Sequence, residues 1–69
     1  MKKKYKPSEI NLDKVRKHFT GEDPIYSHQV GYVAEKTGLT VKECSEACWQ
    51  LWKDGELLRV GHSYANRNL

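Results

Sequence analysis

The sequence predicts an α+β domain of three helices closed by a C-terminal β-hairpin. Apolar residues recur at spacings of three and four through three stretches separated by breaker-rich turns, which is helical periodicity. Gly38 and Thr40-Val41-Lys42-Glu43 put a helix stop and a helix start almost back to back. Beyond Gly55 the character changes. Leu57-Leu58-Arg59-Val60 has strand character, Gly61-His62-Ser63 is a turn, and Tyr64-Ala65-Asn66-Arg67 can return as an antiparallel partner.

Each element has a local reason. Ser8 or Asn11 can cap a first helix that turns Leu12, Val15 and Phe19 inward and ends near Thr20-Gly21. Gly21-Glu22-Asp23-Pro24 is rich in breakers, and Ile25-Tyr26 can form one short extended pairing. Ser27 then signals a second helix, from about Ser27 to Thr37, with Val30, Val33 and Ala34 inward. Gly38 is its left-handed closing residue, and Leu39 folds back on it. Thr40 and Glu43 form a capping box, each side chain bonding the other's backbone amide, and Asp54-Gly55 ends the third helix. At about 100° per residue, Val41, Cys44, Cys48, Leu51 and Trp52 fall on one side of that helix. Lys42, Ser45, Glu46, Trp49 and Lys53 fall on the other.

A chain of 69 residues is one domain. With 38% hydrophobic and 30% charged residues it reads as a soluble globule rather than a disordered tail. No apolar run approaches the roughly 20 residues that span a bilayer, so no membrane is expected. Cys44 and Cys48 are too few and too close for a secreted disulfide framework, which makes a reducing cytoplasm the expected compartment. Charge is unevenly spread. Four of the 12 basic side chains lie in the first six residues, leaving eight against nine acidic groups in the rest. Residues 1–7 are therefore read as a flexible basic arm attracted to polyanions or serving solubility, and residues 8–69 as the folded domain.

The run Val33-Ala34-Glu35-Lys36-Thr37-Gly38-Leu39-Thr40, then Cys44-Ser45, Cys48, Leu51, Gly55 and Leu57-Leu58, resembles a known family. It is similar to the winged helix-turn-helix of small bacterial and phage transcriptional regulators. Ala34 matches the small residue at the helix crossing, Gly38 the turn, Leu39 the plug of the motif's core and Thr40 the cap. Gly55 falls at the break before the wing. The resemblance covers about two-thirds of the chain and implies a three-helix winged helix-turn-helix with a C-terminal β-hairpin wing.

That resemblance implies double-stranded DNA as partner, with the third helix in a major groove and the hairpin on a phosphate backbone or minor groove. Lys2, Lys3, Lys4, Lys6, Arg59, His62 and Arg67 would contact phosphate. Lys42 and Ser45 would reach base edges, and Val41 a thymine methyl. Glu43 and Glu46 depart from the pattern, since phosphate repels carboxylates. The capping box accounts for Glu43. Glu46, Trp49 and Lys53 instead suggest a mixed apolar and charged patch for a protein partner or a weak homodimer. A third reading is an RNA-binding module in which exposed Tyr64 and Trp49 stack on unpaired bases. Trp49 also has a plainer account, tucked by helix tilt against the hairpin or the first helix, and Trp52 is read as core.

Cys44 and Cys48 lie one turn apart, but neither His18, His28 nor His62 forms a short-spaced ligand pair with another. Free buried thiols are expected and no metal. No glycine-rich phosphate loop and no nucleophile with a nearby base is visible. No enzyme activity, cofactor or small-molecule substrate is therefore expected.

Overall fold

The computed structural model describes residues 7–67. The lysine segment at 1–6, with the contacts expected of Lys2, Lys3, Lys4 and Lys6, lies outside them. Helix α1 (Glu9–Thr20) is capped by Ser8, not Asn11: the Ser8 Oγ accepts from the Asn11 amide at 3.1 Å. Leu12, Val15 and Phe19 form its buried face, as their spacing predicts. On its other side Arg16 donates through Nε and Nη2 to the two carboxylate oxygens of Glu56, at 2.7 and 3.1 Å, clasping the helix to the chain before the hairpin. The guanidinium hydrogen bond holds the Glu56 carboxyl below its usual range.

The segment after α1 corrects two expectations. Ser27 does not start a helix; Ser27–Gln29 is strand β1, and helix α2 covers Val30–Thr37. The extended pairing expected at Ile25-Tyr26 falls two residues later, because the Asp23 carbonyl and carboxylate draw Tyr26 and Ile25 into a turn. Strand β1 instead pairs antiparallel with the last strand, β3 (Ser63–Asn66), with Ser27 opposite Ala65 and Gln29 opposite Ser63. Partners almost forty residues away satisfy its backbone, and no local signal encodes them. Gln29, in extended backbone, caps α2 without a side-chain hydrogen bond.

Gly38 has φ of 79°, and its amide and that of Leu39 both donate to the Ala34 carbonyl, at 2.9 and 3.2 Å. This left-handed stop is cheap only for glycine. Helix α3 (Val41–Lys53) follows at once. The Thr40 hydroxyl accepts from the Glu43 amide at 3.1 Å, and the Glu43 carboxylate accepts from the Thr40 amide at 3.0 Å. The buried stripe of α3 is Cys44, Ala47, Cys48 and Leu51. Val41 is not on it: the first turn overhangs the core and leaves this side chain 59% exposed. Trp52 flanks the core only partly buried, and Ala47 takes the centre of the stripe.

Strand β2 (Leu57–Val60) and β3 form the C-terminal hairpin, with Val60 opposite Ser63. Ser63 is thus the first residue of β3 and not part of the turn, which is left to Gly61 and His62. Among the described residues the chain is an α+β domain of three helices and one antiparallel sheet ordered β1-β3-β2. The hairpin is two strands of three. The central position of β3 buries Tyr64 and Ala65, and Tyr64 joins the core cluster that holds Phe19, Val33, Leu51 and Leu57. Tyr64 was expected to be exposed for stacking; at 5% exposure it belongs to the core. Asn66 ties the sheet back to the loop after α1 by donating from Nδ2 to the Glu22 carbonyl at 2.8 Å.

Candidate functional site

The expected binding residues divide according to the element that carries them. Val41, Lys42, Ser45, Trp49 and Lys53 are exposed on the outward face of α3, and Glu46 is half-buried among them. The capping box at one end and the Cys44-to-Leu51 stripe beneath fix the rotation of this helix. Its outward face is therefore set by core packing.

Two contacts on that face were not legible beforehand. Lys42 Nζ lies 3.1 Å from a Glu46 carboxylate oxygen, an ion pair between successive helical turns. Glu46 therefore has a lysine ammonium beside its carboxylate. The Arg59 guanidinium, reaching over from β2, sits 5.3 Å from the Trp49 ring centre and 5.5 Å from that of Trp52. The two indoles are 4.9 Å apart and tilted by 56°. The hairpin is the neighbour that tucks Trp49, which keeps 44% exposure. A guanidinium over an aromatic face contributes roughly 0.5–1 kcal/mol at an exposed site, and with two rings it holds this cation beside the helix.

A groove of about 290 Å³ opens on the same face, lined by Ser45, Glu46, Trp49, Gln50 and Pro7. Pro7 thus brings the chain before α1 against the middle of α3. No pattern in the sequence links position 7 to positions 45–50, because this contact depends on how α1 crosses α3.

His62 is exposed in the hairpin turn. Arg67 is not brought to the α3 face. It lies past the base of the hairpin beside Thr20, Glu56 and Asn66, since β3 leads away from the turn. The structure therefore gathers Arg59, Lys42, Ser45, Val41, Trp49, Glu46 and Lys53 along α3 and β2 and separates Arg67 from them.

The histidines and cysteines occupy different places. Cys44 and Cys48 are buried free thiols, Sγ to Sγ 3.9 Å apart. The hydrogen bond from its neighbour and burial push the Cys48 thiol up. His18 Nε2 and His28 Nδ1 are 2.9 Å apart at the seam of α1, β1 and α2, with the Glu22 carboxylate 3.7 Å from His28 Nε2. Tyr32 packs edge-on against both imidazoles, and Lys36 covers Tyr32. Burial lowers the His18 pKa, helped by His28. Ten residues separate the two histidines, so only the β1 strand brings them together. Among the described residues no group of three or more such side chains is placed to hold a metal ion, and no helix is long and apolar enough to cross a membrane.

No family model matches the chain, and neither curated proteins nor solved structures show a significant similarity to it.

Proposed function

We propose that the chain is a winged helix-turn-helix domain that binds double-stranded DNA as a small transcriptional regulator or accessory factor. The observation that carries this reading is the stack of Arg59 on Trp49 and Trp52. It sets a hairpin cation beside the outward face of a capped helix that follows a tight glycine turn. A helix and a flanking hairpin side by side are what a major groove and its adjacent phosphates require. The Lys42–Glu46 pair supports the reading too, because it keeps a cation beside the Glu46 carboxylate and so lessens its repulsion of phosphate.

In this arrangement the first turns of α3 present Val41, Lys42 and Ser45 to base edges, while Arg59, Lys53 and His62 meet the backbone. Arg67 has no part in it. A titration with short duplex DNA at two salt concentrations, with the mass measured in solution, tests it. Binding that weakens steeply with salt is expected, as counterions are released from each neutralised phosphate. Absence of binding at low salt overturns the reading.

One observation favours a second reading. Trp49 and Val41 keep 44% and 59% exposure on one helix face, an apolar surface that a protein partner or a second copy would cover. A stable dimer mass, or a loss of partner binding above about 2 kcal/mol in Trp49→Ala, would favour it. The RNA alternative loses its stacking pair, since Tyr64 is core.

A further inference from the structure

We infer that His18 and His28 form a binding site for a divalent transition-metal ion of square-planar or tetragonal preference, copper(II) or nickel(II), which clasps α1 to β1. This inference is independent of the proposed DNA binding.

The fold assembles what spacing along the chain does not. His18 lies in the last turn of α1 and His28 at the centre of β1, and their nitrogens Nε2 and Nδ1 are 2.9 Å apart. That distance carries the argument. At a metal–nitrogen bond of about 2.0–2.1 Å, two ligands at a right angle stand roughly 2.9 Å apart, and two at the tetrahedral angle roughly 3.3–3.4 Å. The spacing therefore matches neighbouring corners of a square-planar or octahedral ion rather than tetrahedral zinc, and imidazole suits both copper and nickel. The two nitrogens share a hydrogen bond, and its proton is what the ion replaces.

Glu22 is a second, independent observation. Its Oε1 lies 3.7 Å from His28 Nε2, the ring nitrogen that does not face His18. A carboxylate there favours the tautomer protonated at Nε2 and leaves the Nδ1 lone pair on the His18 side. At metal sites a carboxylate behind the non-ligating nitrogen fixes the ring and raises its basicity as a ligand. On binding, His18 moves its proton from Nε2 to Nδ1 through solvent, and both lone pairs meet the ion. Neither ring is fully buried, so the ion can enter from solvent. Tyr32, edge-on to both rings, limits their rotation. Lys36, 5.5 Å from the centre of the Tyr32 ring, opposes a cation here, and the Glu22 carboxylate offsets it. Among the described residues no third protein ligand completes the set, so water takes the remaining positions.

The experiment titrates the full chain with nickel(II) at neutral pH. One ion per chain should bind, and the thermal midpoint should rise with nickel concentration and fall back on adding a chelator, because the ion favours the folded seam over the separated histidines. His18→Gln and His28→Gln should each weaken binding at least about tenfold, and Glu22→Gln by about tenfold. His62→Gln, altered at the exposed hairpin turn, should bind as the parent does. No binding at millimolar nickel, or binding that survives in His18→Gln or His28→Gln, would overturn the inference. Glu22→Gln binding as tightly as the parent would overturn the role given to its carboxylate. Should a variant fail to fold, copper(II) added to the unaltered chain decides: its paramagnetic broadening of amide signals should centre on His18 and His28, and broadening centred elsewhere would contradict the site.

Discussion

Glu46 shows how a single side chain alters the reading of a surface. From the sequence it is a carboxylate on a face expected to meet phosphate, yet Lys42 one turn earlier holds an ammonium 3.1 Å from it. Replacing Glu46 by arginine dissolves that pair and adds a cation, so duplex affinity should rise about tenfold at low salt, the worth of one charge-assisted contact. Unchanged affinity in a binding assay would remove α3 from the interface. Cys48 is fully buried, with its Sγ 3.9 Å from that of Cys44. Cys48→Ser should destabilise by roughly 1–3 kcal/mol in denaturant unfolding, since a hydroxyl demands a better partner there.

His18 adds a dependence on pH. Its pKa is lowered from 6.5 by burial first and then by His28 and Lys36, against an opposing pull from Glu22. The folded protein therefore binds this proton less readily than the unfolded chain does. The sign follows directly: the contribution is intact above about pH 6.5 and is lost as pH falls toward the lowered folded value. A thermal midpoint that drops between pH 7 and pH 5, less steeply in His18→Gln, is expected. Equal slopes in both proteins would show that the histidine seam does not titrate on unfolding.

At the level of elements, the α2–α3 junction tests the local logic most cleanly. Nothing lies within 4 Å of the place where a Gly38 Cβ would sit, so a substitution there meets only backbone strain at φ of 79°. Gly38→Ala should cost about 1 kcal/mol or more in equilibrium unfolding, and Gly38→Asn less, because asparagine tolerates the left-handed region. An alanine variant as stable as the parent would mean that the turn relaxes. This junction was legible because cap, glycine and capping box act within a few residues of one another. Strand β1 was not. Ser27-His28-Gln29 has no apolar alternation, and a serine before a periodic stretch looks like a cap; its strand state depends on β3 far along the chain. The same nonlocality hid the His18–His28 pair and moved Tyr64 from surface to core, because the third strand makes β3 central.

For the whole molecule the α3 face was readable in part. Helical periodicity placed Lys42, Ser45, Glu46, Trp49 and Lys53 outward, and the core confirms that rotation. Periodicity could not show that Arg59 would lie across two indoles or that Pro7 would line the groove beside them. Both depend on how separate elements cross. They turn a charged helix into a surface with a hairpin on one flank and Pro7 against its middle.

The central claim is that this surface, and no other, meets duplex DNA. Backbone amide chemical shifts of the full chain, followed as a short duplex is added at low salt, test it residue by residue. The largest changes are expected at Val41, Lys42, Ser45 and Trp49 and from Arg59 through His62, with the exposed Lys14 and Lys17 side of α1 unmoved. Changes centred on α1 or on the His18–His28 seam, or no changes at all, would contradict the account.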